Sequence, residues 1–351
     1  MEVIFEEINI QDENDPKVQE FHNFRKQMHE ELTPNEYYAS NKEFKEFKSD
    51  KDLVEKIYLI RNKENGELVG SLEITAFNPE SPRFETNRYY IMGKINLKKE
   101  FRRQKIGSQA LAFIYDYMMA NQKGILVMNS THPSGLMFFK GIGAEIAFEG
   151  IQNKLLLSEV DWEMINKWLD EGKKALPNEK LVIYDMVPFE ILKDYTRLFV
   201  DTNLNVKYDE LSMEEKFFAE QAIKEQIELL QNIQAKQMIF TLKKKEGTTT
   251  GVLETYFLFN ASEIIRQGFF GVLQDEKAEI REKYLRALML KYIKDNLPDA
   301  KYILMVSKNA KEPLSETSQQ LGFKEDLHSY SAQIDIEEIR RYLMSKGYIK
   351  E

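Results

Sequence analysis

Residues 95–111 read INLKKEFRRQKIGSQAL, and the reading of this stretch decides the rest. Ile95, Asn96 and Leu97 close a strand that begins near Tyr89. A turn of Arg102, Arg103, Gln104, Lys105, Ile106 and Gly107 follows, and a helix from about Lys105 to Ala120 opens on it. The first turn of a helix presents unpaired backbone N–H groups and the positive end of the macrodipole, which suits an anion. Gly107 allows a pyrophosphate to approach the main chain. Arg102, Arg103 and Lys105 add charge for phosphate oxygens. The alternative is a surface turn whose basic cluster precedes a helix.

Upstream, residues 2–9 alternate apolar and polar as an opening strand, and 16–32 carry Val18, Phe21, Phe24 and Met28 at helical spacing. KIYLIRNKENGELVGSLEI reads as two strands joined at Glu64-Asn65-Gly66. Downstream, ILVMN (125–129) is a short buried strand, Ser134 to Lys140 a short helix, and 144–157 strands again. Ser158 and Asp161 are caps for a helix whose Trp162 and Trp168 read as packing between domains. KKALPNEK (173–180) reads as a linker. The same order then begins again: a strand at LVIYDMV, helices at 188–200 and 212–236, and a hairpin at QMIFTLKKKEGTTTGVLET. One offset of 181 pairs Gly66 with Gly247, Gly70 with Gly251, Leu72 with Leu253 and Glu73 with Glu254. GFFGVL, a helix to about Asn296, YILMV and QQLGF complete the second copy. The expectation is a duplicated mixed α/β domain, residues 1–175 and 176–351, each a mostly antiparallel twisted sheet flanked by helices.

The length of 351 residues fits two domains. A net charge of -9 argues against a nucleic-acid partner, whose phosphates need a basic surface. With no cysteine there is no disulfide, thiolate metal site or cysteine nucleophile. His22, His29 and His328 lack metal-ligand spacing, and no metal is expected. The acidic start MEVIFEEINI is unlike a signal peptide, and no apolar run is long enough for a membrane span. The expected location is cytoplasmic, without membrane contact and with the oligomeric state open.

The loop resembles the acetyl-CoA loop of the GNAT superfamily, Gln/Arg-x-x-Gly-x-Gly/Ala: Arg102 and Gly107 match, while Lys105 stands where the middle glycine is usual. ALAFIYDYMM, ILVMN and SGLMFFKGIGA follow at the superfamily's spacing. HPSGLMFFKGIGA through SEVDWEMINKWLDEG is similar to tandem GNAT proteins of actinobacterial type, as is NAKEPLSETSQQLGF in the second half. The resemblance spans nearly the whole chain. It implies two tandem GNAT domains and an N-acetyltransferase that uses acetyl-CoA as acyl donor and a small-molecule or peptide amine as acceptor. In the second copy the loop position is Lys277 to Glu282, without either glycine and with Glu279 and Glu282 where phosphates would sit, so that copy is expected to have lost the coenzyme.

The implied reaction is direct attack of an amine on the thioester within a ternary complex. By resemblance, backbone groups of Ile95, Asn96 and Leu97 on a splayed strand receive the pantetheine, and Arg102, Arg103, Gln104, Lys105, Ile106, Gly107 and Ser108 the phosphates. His132 stands where an Asn often contacts the coenzyme; the alternative is a helix-start histidine. The usual acid and base are missing: Phe139 replaces a Tyr, and Gly93 or Lys94 a Glu. Glu73 is the candidate base and Tyr90 the candidate acid, each set against an ordinary strand position. The competing readings are a catalytically inactive coenzyme- or substrate-binding pseudoenzyme and an aminoacyl-tRNA-dependent transferase, the latter disfavoured by the acidic charge.

Overall fold

The computed structural model describes residues 1–350 apart from 13, 49, 204–206, 234 and 308–313. The chain packs as two compact units. Unit 1 begins with strand β1 (Val3–Ile8) and helix α1 (Pro16–Leu32). Asp15 caps α1 by accepting from the Lys17 N–H, and Pro16 opens it without losing a hydrogen bond. Helix α2 (Asn41–Phe47) carries a capping box in which Ser40 and Glu43 bond each other's backbone N–H. Strands β2 (Leu53–Asn62) and β3 (Leu68–Phe77), the short helix α3 (Phe84–Asn87) and strand β4 (Tyr90–Leu97) follow. Helix α4 (Ile106–Ala120) then leads to β5 (Ile125–Ser130), α5 (Pro133–Ile142) and β6 (Glu145–Leu156).

Unit 2 takes over at Gln152, inside β6. It contains α6 (Trp162–Ala175), β7 (Glu179–Tyr184), α7 (Phe189–Asn203), α8 (Met213–Asn232), β8 (Ala235–Lys244), β9 (Thr249–Leu258), β10 (Ile264–Val272), α9 (Ala278–Asn296), β11 (Tyr302–Ser307) and α10 (Glu316–Leu321). The last strand, β12 (Lys324–Asp335), passes into unit 1 at Leu327, and α11 (Ile336–Ser345) follows it there.

In unit 1 the strand order is β1-β2-β3-β4-β5-β12. Its pairs are antiparallel except β4 with β5. In unit 2, β7-β8-β9-β10 run antiparallel, β11 lies parallel to β10, and β6 lies beside β11. Each unit thus repeats one architecture, but its sixth strand is the one that ends the other copy in sequence. This redraws the boundary at 175/176: residues 152–175 belong to unit 2 and those from Leu327 on to unit 1. Periodicity finds strands; ladder partners are chosen in space. The tryptophans of α6 are likewise accounted for inside unit 2. Trp168 is buried in its core, where Gly172 meets the Tyr284 ring of α9.

The sheet of unit 1 is covered on both faces. Ile106, Leu111 and Ile114 of α4 and Ile339 and Leu343 of α11 pack one side. Phe21, Phe24 and Met28 of α1 pack the other with Ile57 and Leu59. His22 packs against the rings of Phe21 and Phe44, 4% exposed, with neither ring nitrogen hydrogen bonded. Burial, with help from Arg25 and Lys45, pulls its pKa down to about 4. The unfolded chain therefore binds the proton first. The stabilising neutral ring is fully effective above about pH 6.5, and its contribution drains away as pH falls toward 4, by up to ~3 kcal/mol. Urea unfolding at pH 7 and pH 4.5 should give a gap that His22→Leu narrows; an unchanged gap would assign the acid sensitivity elsewhere.

Candidate active site

Strand β4 keeps its antiparallel register with β3 as far as Gly70↔Leu97, but its parallel register with β5 stops at Gly93↔Met128. Beyond that point Lys94 to Leu97 have no ladder partner on the β5 side among the described residues, and the two strands splay. The close approach of β3 to β4 requires glycine at 70, since a Cβ there would stand 2.3 Å from the Asn96 carbonyl oxygen. The splay opens into a cavity of about 1150 Å³ within unit 1. One end reaches the start of α4 and the other runs beneath α1 and α2.

At the first end, the candidates read from the sequence divide by what they already hold. Ile95, Asn96 and Leu97 line the cavity at the splay. Arg102 is engaged internally: its Nη2 pairs with Glu31 at 2.6 Å and its Nε donates to the Leu97 carbonyl at 3.1 Å. It ties the end of α1 to the end of β4. Arg103 and Lys105 line the cavity, are exposed, and have no carboxylate partner among the described residues. Gln104 does not line it and donates to the Glu100 carbonyl at 2.9 Å. Ile106 is a core side chain, and the Ser108 hydroxyl bonds Tyr342 of α11 at 2.8 Å, so at these two positions the helix N-terminal backbone is what faces an anion. Gly107 has a packing reason to be glycine: a Cβ would lie 3.1 Å from the Phe138 ring. His132 lines the cavity as the N-cap of α5, its Nδ1 accepting from the Ser134 N–H at 3.1 Å. Burial and the nearby Arg102 lower its pKa, so the ring is neutral at pH 7.

Lys105 stands at the N-cap position of α4 without a capping hydrogen bond from its side chain, at φ 65°, where a side chain is crowded and glycine is not. Lys105→Gly should therefore raise stability by about 1 kcal/mol in chemical denaturation. The same change should weaken coenzyme binding by removing an ammonium. Two changes of the same sign would separate Lys105 from the anion.

The far end holds a buried charge cluster that sequence reading reached only in part. Ser71, Glu73 and Thr75 form the polar stripe of β3 that lines the cavity. Glu73 is 6% exposed, with Lys48 Nζ at 3.0 Å and Lys94 Nζ at 3.7 Å. Burial alone would push its carboxyl up, but Lys94 and Lys48 outweigh burial and hold it low. Across the ladder, Glu55 of β2 bonds the same Lys48 at 2.9 Å and accepts from Thr75 Oγ1 at 3.4 Å. Its second oxygen, Oε2, is buried without a hydrogen bond. Burial raises the Glu55 pKa, against the opposing pull of Lys48. Tyr90 is exposed at the opposite end of β4 and does not line the cavity. Tyr330 of β12 does line it; burial raises its pKa, so the phenol keeps its proton. Two other tyrosines of the cavity have their hydroxyls engaged, Tyr37 by Glu43 and Tyr38 by the His22 carbonyl.

At the corresponding place in unit 2, α9 opens with Lys277 as its cap residue. Glu279 is neutralised by Lys283 at 2.6 Å and Glu282 by Arg286 at 3.2 Å. Arg281 turns inward, its side chain 2% exposed, and binds Glu179 at 2.9 Å and Asp275 at 2.5 Å. The helix start is satisfied by the protein's own charges. Of the NAKEPLSETSQQLGF segment, residues 309–313 lie outside the described residues, and the rest forms α10 and its glycine stop at Gly322.

Comparison with known proteins agrees with this fold. Residues 19–137 match the family model described as Acetyltransferase (GNAT) family. A tandem GNAT protein from the clavulanic acid biosynthesis pathway is 13% identical with a TM-score of 0.63, the match covering 95% of this chain and 99% of that one. A GCN5-related N-acetyltransferase from Sphaerobacter thermophilus is 12% identical with a TM-score of 0.56, covering 95% and 96%. No curated protein matches the sequence. Among the described residues no helix is long and apolar enough to cross a membrane.

Proposed function

We propose that this chain, a protein of tandem GNAT fold with a GNAT-family acetyltransferase domain in its first half, transfers an acetyl group from acetyl-CoA to an amine in the cavity of unit 1. The observation that carries this reading is the splay of β4 from β5 beside the uncapped start of α4. The residues present fit the coenzyme. The backbone groups between Lys94 and Leu97 that face away from β3, other than the Leu97 carbonyl held by Arg102, suit the pantetheine amides, and Arg103, Lys105 and the first N–H groups of α4 suit the pyrophosphate. The coenzyme supplies a thioester, whose carbonyl carbon is the electrophile.

The chain's own part is positioning and proton transfer. Glu55 is the proposed base, because a carboxylate raised by burial accepts a proton near neutral pH better than one held low. Glu73 holds Lys48 in place, and Lys48 in turn orients Glu55. The amine nitrogen forms its bond to the carbonyl carbon as the carbon–sulfur bond breaks. Glu55 takes the nitrogen's proton and Tyr330 delivers one to the departing sulfur. Arg102, His132 and Ser108 support the walls, and unit 2 takes no coenzyme.

Calorimetric titration with acetyl-CoA tests the binding half. One site per chain is expected, weakened on the order of tenfold or more by Arg103→Ala combined with Lys105→Ala. Two sites would contradict the reading of unit 2. Thiol release with an amine panel tests the rest: Glu55→Gln should lower kcat by roughly 100-fold or more at unchanged coenzyme affinity. Binding without turnover of any amine would make the chain a pseudoenzyme.

A further inference from the structure

The acceptor end of the cavity carries more positive than negative charge, and one of its cations is built to face an anion. Arg25 of α1 lies in the wall with its guanidinium carbon 4.4 Å from the Tyr38 ring centroid and 4.3 Å from that of Phe44. Two rings therefore fix the plane of the group before anything binds. Its Nη2 donates to the Ala39 carbonyl at 2.9 Å and to Asn41 Oδ1 at 3.2 Å. Its Nε is buried without an acceptor.

Among the described residues no carboxylate stands within ion-pair distance of Arg25. Lys48 also lies against the Phe44 ring, 5.6 Å from its centroid. Lys48, however, is already held by Glu55 and Glu73, and Glu73 is shared with Lys94. Three cations thus face two carboxylates, and Arg25 is the one left over. A half-buried guanidinium without a direct ion pair is costly, and burial lowers its pKa although Tyr38 and, at longer range, Glu73 pull the other way. A planar carboxylate is the ligand whose geometry best matches a stacked guanidinium.

We propose that the acyl acceptor carries a carboxylate as well as its amine, an amino acid or a close relative, with Arg25 as the carboxylate's partner. This rests on the reading of unit 1 as an N-acetyltransferase. The neutral amine of such a molecule meets Glu55, and its carboxylate fills the charge gap at Arg25. Phe24, the residue before it, and Met28, about one turn after it on the same helix, leave an apolar wall for the side chain. A simple amine without the acid group leaves Arg25 unpaired and forfeits that contact.

The experiment is calorimetric titration of the full chain, with and without coenzyme A, by phenylalanine, glutamate and lysine and by their three C-terminal amides. At least one acid is expected to bind about tenfold or more tighter than its own amide. Arg25→Gln should erase that difference and leave the coenzyme affinity unchanged. Arg25→Lys, which keeps the cation but loses the fork, should retain part of it, and it serves as the reporter where Arg25→Gln lowers the folded population. Equal affinities within every pair, a difference that survives in Arg25→Gln, or binding of none of the six would each overturn the proposal. The coenzyme titration fails or succeeds separately: coenzyme bound with no preference for the acids sinks this inference alone, whereas no coenzyme bound sinks the reading it rests on.

Discussion

A fragment of residues 1–175 is expected to remain unfolded. It contains the whole first copy in sequence yet lacks the strand and helix that complete unit 1. Tyr330, Ala332 and Ile334 of β12 and Ile339 and Leu343 of α11 are all between 0 and 7% exposed in that core. The larger of them are worth ~1.5–3 kcal/mol each when buried. Their loss together rivals the ~5–15 kcal/mol that holds a typical domain. The loss also strips β5, whose register with β12 runs from Ile125↔Asp335 to Ser130↔Tyr330, and leaves a bare strand edge. Residues 1–151 joined through a flexible linker to 327–351 should regain dispersed amide resonances and a cooperative melt. Cooperative melting of 1–175 by itself would refute the exchange of strands.

Replacing Lys48 by methionine should cost ~3–5 kcal/mol, the range for breaking a buried ion pair from one side. Lys48 is 17% exposed in its side chain and serves two carboxylates at once. Without it Glu73 keeps Lys94 at 3.7 Å, whereas Glu55 keeps only a hydroxyl. Burial then drives the Glu55 pKa further above its unfolded value. A carboxyl whose folded pKa is raised favours the fold while protonated and loses that contribution as pH climbs. The deficit of the variant should accordingly be greatest at pH 8 and shrink toward pH 5. Urea unfolding at the two pH values measures it, and a deficit independent of pH would mean that Lys48 matters for packing only.

Much of this was legible in the sequence where chemistry and period coincide. The basic turn before α4, the hairpins offset by 181 and the two-copy order of elements are all in place. The exchange of the sixth strands was not, because a strand's alternation is the same whichever sheet receives it. Glu73 was found at the cavity, but as the tightly paired carboxylate. Glu55 alternates just as well on its own strand, and only the cover of α1 and α2 makes one face of the hairpin a site. The Ser40–Glu43 capping box was a visible signal for α2, the helix that brings Lys48 there. Arg102 and Lys105 read alike as phosphate cations; Glu31, more than 70 residues upstream of Arg102, already claims one of them. Glu254, the counterpart of Glu73, is buried too, yet it accepts from Tyr195, Gln226 and the Phe269 N–H, and among the described residues no lysine pairs with it. The same letter was duplicated and its company was not.

The exchanged strands also set a timetable for synthesis. Residue 151 emerges from the ribosome roughly 175 residues before the segment beginning at Leu327 that its unit requires. At about 5–20 residues per second that is a wait of roughly ten to thirty-five seconds. During it, β5 presents an open ladder on an otherwise nearly assembled sheet, the condition in which nascent chains pair with one another or recruit chaperones. A stop codon between Leu327 and Ile339, which removes part or all of β12 or the core face of α11, would therefore disable the first half of the protein, which holds the cavity, while leaving most of the second half complete.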